Sequence, residues 1–576
     1  MKKLMLGNEA AARGLYEYGC TLISSYPGTP STEITEFASR CDEIKSEWAP
    51  NEKVALEAAF GASLAGFRSA CAMKHVGLNV AADPLFTMSY TGVNGGLIIF
   101  VADDPAMHSS QNEQDSRRYA IASRVPMVEP SDSAEALAMV GEAYRISEEF
   151  DTPVIFRICT RTAHSQSVVE TGERILPERI PYKKNPEKYV MMPAYAKRRH
   201  PVIEERTDKL REFAEKTSLN RIEGSGTTGI ITSGVCYQYV KEVFGDSVKV
   251  LKLGMLNPLP DRLILDFAAS VEKLIVIEEL DPVIEERCRM LGLSPVGHDI
   301  FPKVGEYSQQ LIRRVLGMPQ PEAPEKMNLP ARPPVMCPGC PHRGLFYVLS
   351  KNKITVLGDI GCYTLGAQPP LTAVDSVLCM GASVSGIHGF LRADPSAAGK
   401  TVAVIGDSTF IHSGITGLCN VAYNASKATV IILDNSITGM TGHQQNPTTG
   451  YNIKGDPASK VNLEALCQSL GIDHVRVVDP YDLKQTEDAV LEELAYDGPS
   501  VIISRRPCVL LKYVKTRPPF SVDPDACRGC RRCMKLGCPA ISFRDGKAVV
   551  DAGLCTGCGL CASLCPFGAI KGGEDK

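Results

Sequence analysis

Only 6% of this 576-residue chain is aromatic, and tryptophan occurs once. No aromatic cluster announces a stacking site for a ring-shaped ligand. Apolar runs are short as well. None nears the roughly 18 residues that cross a bilayer, so a membrane-embedded chain is not expected. The formal charge of -4 is small for this length and argues for neither a nucleic-acid partner nor an anionic membrane surface, and neither is expected. Met1-Lys2-Lys3-Leu4-Met5-Leu6 has the beginning of an export signal, but Gly7, Asn8 and Glu9 end its apolar run. A cytoplasmic protein is the expectation. No Gly-x-Gly-x-x-Gly follows a strand-like run, so a hydride-carrying dinucleotide is not expected.

Cysteine, by contrast, is plentiful. Eight of 21 cysteines fall in the last fifty residues, as Cys527-x2-Cys530-x2-Cys533-x4-Cys538-Pro539 and Cys555-x2-Cys558-x2-Cys561-x3-Cys565-Pro566. Three close thiolates cap three corners of a cubane iron–sulfur cluster, and the fourth cysteine of each run reaches the other cluster. That crossing assigns Cys527, Cys530, Cys533 and Cys565 to one [4Fe-4S] cluster. Cys555, Cys558, Cys561 and Cys538 form the second. Zinc sites use two pairs rather than triplets followed by Cys-Pro, and disulfide frameworks belong to small secreted domains. The first three cysteines recur after 28 residues and the fourth after 27, so the first run holds one extra residue. Two such clusters move single electrons, which the rest of the chain must supply or accept.

Helical patterns and short apolar strands alternate through the first 500 residues or so, which predicts α/β layers with parallel sheets. Residues 95–102, 154–158, 229–234 and 273–279 read as strands. The charged stretch from Lys197 to Gly226 reads as a solvated helical connector. A proline-rich linker covers 317–336, and Arg517-Pro518-Pro519 sets off the cysteine-rich tail. Inside that tail, Asp545-Gly546 between Ile541 and Phe543 on one side and Val549 and Val550 on the other predicts a two-residue hairpin turn. So small a unit has little core, and its clusters should be needed for folding.

Two further strands, 402–408 and 430–436, end in Gly406-Asp407-Ser408 and Asp434-Asn435-Ser436. A carboxylate and an amide at strand C-terminal ends stand where parallel sheets bind ligands. Oxygen ligands of this kind suit Mg2+ beside a diphosphate, although two ordinary strand-end turns would use the same residues. The pattern resembles the thiamine diphosphate motif, with Ser408 in place of its last glycine. Around it stand Cys337-Pro338-Gly339-Cys340-Pro341-His342, Gly358-Asp359-Ile360-Gly361-Cys362 and Thr438-Gly439-Met440-Thr441-Gly442-His443-Gln444. With Ser25-Tyr26-Pro27-Gly28-Thr29-Pro30-Ser31 near the start, they resemble the 2-oxoacid:ferredoxin oxidoreductases.

That resemblance implies a multidomain α/β chain of thiamine-diphosphate-binding folds. A pyrimidine-binding domain covers 1–200, a transketolase-C-like domain 226–316, a diphosphate-binding domain 337–511, and an α+β two-cluster ferredoxin-like domain 518–576. By the same likeness Asp407 and Asn435 hold Mg2+ through side chains and Ile437 through its carbonyl. His342, Gly361, Gly406, Met440 and Thr441 line the cofactor, while Pro341 and His443 stand where the pattern carries glycine. Thr29 sits near the substrate. Glu52 bonds the cofactor's pyrimidine, where a carboxylate promotes removal of a very weakly acidic proton; a first-turn glutamate capped by Asn51 is the plain alternative. Arg117 and Arg118 are equal candidates for the substrate carboxylate, which an arginine fork matches. A surface helix start is the alternative there. Cys337, Cys340, Cys362 and Cys508 match the ligands of a third cluster in some members, and a shaped Cys-Pro-Gly-Cys turn is the other reading of the first pair.

The implied reaction is oxidative decarboxylation of a 2-oxoacid. The order of the parts and the Gly406-Asp407-Ser408-Thr409-Phe410 and Cys-x4-Cys-Pro variants imply, by the same resemblance, an aryl substrate such as indolepyruvate, with coenzyme A taking the acyl group and ferredoxin the electrons. One domain of the family has no counterpart here, which implies a separate small beta subunit and an α2β2 assembly. A nonredox thiamine decarboxylase would leave the cysteine tail idle, and an electron-transfer adaptor would leave the thiamine motifs idle.

Overall fold

In a computed structural model, which describes residues 1–321, 327–330 and 332–572, the longest apolar runs become strands buried along their whole length. Leu97–Asp103 and Val154–Cys159 show no alternation because both faces of their sheet are covered. The chain divides into two units, Met1–Met327 and Asn328–Lys576.

The first unit holds a seven-stranded sheet in the order Met255–Asn257, Met127–Val128, Val154–Cys159, Leu97–Asp103, Ser69–Lys74, Leu22–Ser25, Lys45–Trp48. All its pairings are parallel except the outermost, Met255–Asn257 with Met127–Val128. One face packs Ala11, Leu15 and Val140 against Ile98, Phe100 and Phe156. The other packs Ala55, Leu56 and Leu85 against Ile99, Val101 and Ile155. A second sheet orders Lys273–Ile277, Thr228–Ser233, Lys249–Leu253 and an antiparallel edge, Arg221–Gly224. The charged segment expected as a solvated helical connector does form a helix, Pro193–Ala214, but one face of it is packed rather than solvated. Its Ile203, Leu210 and Ala214 are buried, and Arg206 donates to the carbonyls of Ser89 and Asp151 at 2.8 and 2.9 Å.

The second unit carries five parallel strands in the order Thr355–Leu357, Thr401–Gly406, Thr429–Asp434, Ser500–Arg505, His474–Val478. Of the expected linker, residues 322–326 and 331 lie outside the described residues. In the tail, Ile541–Arg544 pairs with Lys547–Val550. Asp545 and Gly546 at the turn have φ of 48° and 75°, as a tight hairpin with two left-handed residues requires. The tail's small core includes Cys527, Cys533 and Cys561 themselves.

Candidate functional site

Gly406 pairs with Leu433 in the parallel ladder, so Asp407 and Asp434 emerge side by side at the C-terminal edge of the second unit's sheet. Asp407 is buried; its Oδ1 accepts from the Ser408 N–H and its Oδ2 from Thr448 Oγ1, both at 2.9 Å. Burial, and after it the Asp434 carboxylate, push the Asp407 carboxyl up to about 7. Asp434 has Arg505 at 2.7 Å, whereas Asp407 has no ion-pair partner among the described residues. A divalent cation would reverse that penalty, so this buried carboxylate fits a magnesium-bound diphosphate.

Asn435 accepts from the Ile437 N–H at 3.3 Å, and its Nδ2 lies 3.4 Å from His342 Nε2. Burial holds the His342 imidazole neutral, with its pKa down to about 4. Tyr363 lies over both Gly361 and Gly406: a Cβ on either would stand 2.3 or 2.6 Å from its ring. The loop after Asn435 closes through Thr438 and Gln444, whose backbones exchange bonds of 3.0 and 3.2 Å. Thr441 Oγ1 donates to Gln444 Oε1 at 2.6 Å, and Met440 is exposed. His443 sits at φ 70°, the left-handed region, which is why glycine suits that position in the resembled pattern.

The tail cysteines gather around two cavities. One is lined by Cys527, Cys530, Cys533 and Cys565 together with Arg528, Arg531 and Arg532. The other is lined by Cys538, Cys555, Cys558 and Cys561, with Gly339 and Arg343 reaching in from the thiamine-motif half. The thiols of Cys337 and Cys362 also stand within electrostatic reach of each other and of both Cys340 and Cys508. After burial, the neighbours that raise Cys362 to about 11 are Cys508 and Cys337, and Cys340 is raised to about 12 mainly by burial, with Cys362 and Cys337 adding to it. Arg343 stitches the two halves together, donating to the carbonyls of Leu536 and Gly537 at 2.7 Å and to Met336 at 2.6 Å. The extra residue of the Cys-x4-Cys run thus forms a turn that Arg343 captures, with Gly537 at φ 62°. Gly339 is needed where the halves meet, because a Cβ there would stand 2.1 Å from Thr556 Oγ1.

In the first unit, Glu52 opens the helix Glu52–Leu64, whose N-cap Asn51 accepts from the Val54 N–H at 2.9 Å. Capping accounts for the helix start but not for burial: Glu52 is 5% exposed, with its carboxylate over the backbone of Gly77. The Thr29 loop is pinned by Asn8, which donates to the Pro30 carbonyl at 2.7 Å, and by Ser31 Oγ, which donates to Gly28.

Residues 13–218 match the family "Pyruvate flavodoxin/ferredoxin oxidoreductase, thiamine diP-bdg", residues 359–504 the C-terminal TPP binding domain of thiamine pyrophosphate enzymes, and residues 548–571 a 4Fe-4S binding domain. Indolepyruvate oxidoreductase subunit IorA of Pyrococcus horikoshii is 41% identical, the alignment spanning 99% of this chain and 97% of the relative. The same subunit of Archaeoglobus fulgidus is equally similar, at 41% identity over the same shares. The chain belongs to the IorA family of indolepyruvate oxidoreductase subunits. A more distant relative, 2-oxoglutarate synthase subunit KorA of A. fulgidus, is 25% identical over 52% of this chain and 96% of its own length.

This IorA-family chain is therefore an oxidoreductase with α/β thiamine-diphosphate-binding domains and an iron–sulfur domain. Among its described residues no helix is long and apolar enough to cross a membrane. The expectation for Arg117 and Arg118 finds no support in their geometry. Arg117 is fully buried and donates to Asp115, Glu278 and the carbonyls of Glu279 and Asp281. Arg118 pairs with Asp281 and Glu286 at 2.9 and 2.6 Å. Both forks are already matched to internal acceptors. The sequence motifs left out Arg343 and Tyr363, which only their buried settings mark.

Proposed function

We propose that this chain is the large subunit of an enzyme that oxidatively decarboxylates aryl 2-oxoacids, with indolepyruvate as substrate, coenzyme A as acyl acceptor and ferredoxin as electron acceptor. The observation that carries the reading is the junction in the second unit, where Arg343 and Gly339 join the thiamine-motif loops to a cysteine-lined cavity. A nonredox decarboxylase has no use for that junction, and an adaptor has none for the buried Asp407. In this reading Asp407, Asn435 and the Ile437 carbonyl hold Mg2+, and His342, Gly361, Gly406, Met440 and Thr441 line the diphosphate side. Glu52 holds the proton exchanged with the pyrimidine, and Thr29 orients the substrate. Thiamine diphosphate, when bound, supplies the electron sink for loss of CO2. The two tail cavities hold [4Fe-4S] clusters for single electrons, and Cys337, Cys340, Cys362 and Cys508 hold a third. The domain limits given above belong to the same proposal, as do a small second subunit, an α2β2 assembly and a cytoplasmic setting that keeps the thiols reduced.

Metal and cofactor analysis of the anaerobically purified chain tests it. About one thiamine and eight or more irons per chain are expected. Thiamine without iron would favour the nonredox decarboxylase, and iron without thiamine the adaptor.

A further inference from the structure

Three parallel strands of the first unit bring their C-terminal ends to one corner: Leu22–Ser25, which leads into the Thr29 loop, Ser69–Lys74, and Leu97–Asp103. Lys74 ends a strand of six buried residues and is itself 7% exposed. Its Nζ donates to the Ser109 carbonyl at 2.6 Å and to Ser109 Oγ at 3.3 Å. Ser109 Oγ lies 3.3 Å from the Thr29 carbonyl. The Thr29 loop rests on the lysine, since a Cβ on Gly28 would stand 3.0 Å from Lys74 Cβ.

An ammonium carries three N–H donors. Ser109 takes two of them, and among the described residues the third has no acceptor and Lys74 no carboxylate within ion-pair distance. Burial pulls the amine down to about 8, with Asp104 opposing only in part. A buried cation so poorly matched is costly unless an anion arrives to pair with it.

We propose that Lys74 receives the carboxylate of the aryl 2-oxoacid, with Ser109 fixing its Nζ against the Thr29 loop. This rests on the 2-oxoacid reading above and names the cation that Arg117 and Arg118 do not supply. The competing role is a purely structural one, an anchor for the loop around Ser109.

The test uses the cofactor-loaded chain with its partner subunit. Lys74→Gln keeps a donor for Ser109 and removes the charge, whereas Lys74→Arg keeps the charge. The probes are indole-3-acetate and neutral indole-3-acetamide, of nearly equal shape, with binding measured by titration. The wild type should prefer the carboxylate by roughly 10-fold or more. Lys74→Gln should abolish that preference, leave amide binding unchanged, and raise KM for indolepyruvate roughly 10- to 100-fold with a smaller change in kcat. Lys74→Arg should restore part of both. A structural anchor would weaken both probes alike. Should Lys74→Gln lose thiamine or iron, Ser109→Ala on the exposed loop serves instead, and should lower the carboxylate preference several-fold. Retention of the wild-type preference in the folded variants overturns the proposal, as does a wild type with no preference. If no 2-oxoacid drives dye reduction by the wild type, the functional reading itself has failed.

Discussion

Both carboxylates proposed to act on the cofactor are buried. Glu52 begins a helix as many glutamates do, yet it is 5% exposed, and Asp407 sits beside Asp434 with no cationic partner among the described residues. Glu52→Gln should lower 2-oxoacid-dependent dye reduction by about 100-fold or more, the range for a lost proton-transfer group, while cluster absorbance persists. Undiminished turnover would remove Glu52 from the site. Asp407→Ala should abolish thiamine retention after gel filtration in Mg2+ buffer and leave iron content intact. Retained thiamine would show that Asp407 is not needed to hold it. At this scale the cysteines were legible because cluster ligation demands fixed spacing. Asp407 and Asn435 were legible because strand ends carry a motif. Lys74 was not: a lysine closing an apolar strand has no periodic signature, and its role depends on Ser109, 35 positions away.

Elements were legible where both faces of a strand are buried, since a continuous apolar run such as Leu97–Asp103 suits a sheet covered on both sides. The helix Pro193–Ala214 was legible as a helix but its packing was not, because its charged surface hides the few side chains, Ile203 and Leu210 among them, that pack it down. Lys252 illustrates the same difficulty. It lies in the strand Lys249–Leu253, fully buried, and pairs at 2.6 Å with Glu135 of the helix Ser133–Phe150. Burial pushes the Glu135 carboxyl up, but Lys252 and then Arg221 outweigh it and hold it at about 2. A depressed carboxyl stabilises the fold above its ordinary value and loses that contribution as pH falls toward 2. Lys252→Ala should therefore cost about 3 kcal/mol at neutral pH, read from urea unfolding of the first transition, and less near pH 3. An equal loss at both values would mean that packing, not the pair, is what the lysine provides.

At the scale of the whole molecule, the chain's net charge of -4 conceals a tail of opposite sign. Residues 518–576 carry eight basic side chains against six acidic ones. Arg528, Arg531 and Arg532 line the cavity that contains exposed Cys530. Electron transfer to an acidic ferredoxin should slow as ionic strength rises from 0.02 to about 0.3 M, whereas reduction of a small cationic dye should not. A salt-independent rate to ferredoxin would place the docking face elsewhere. The sequence order of motifs made the family readable, but not the junction between its parts. Arg343 and Gly339 act through carbonyl and backbone approaches that no side-chain pattern encodes. The proposed function turns on one coupling, that oxoacid chemistry in the thiamine half drives electrons into the cysteine tail. The direct measurement is anaerobic reduction of ferredoxin by the chain with its small partner, given indolepyruvate and coenzyme A. Reduction should require both substrates and be fastest with aryl 2-oxoacids; CO2 release without any reduction, or a strong preference for pyruvate or 2-oxoglutarate, would overturn the proposed function.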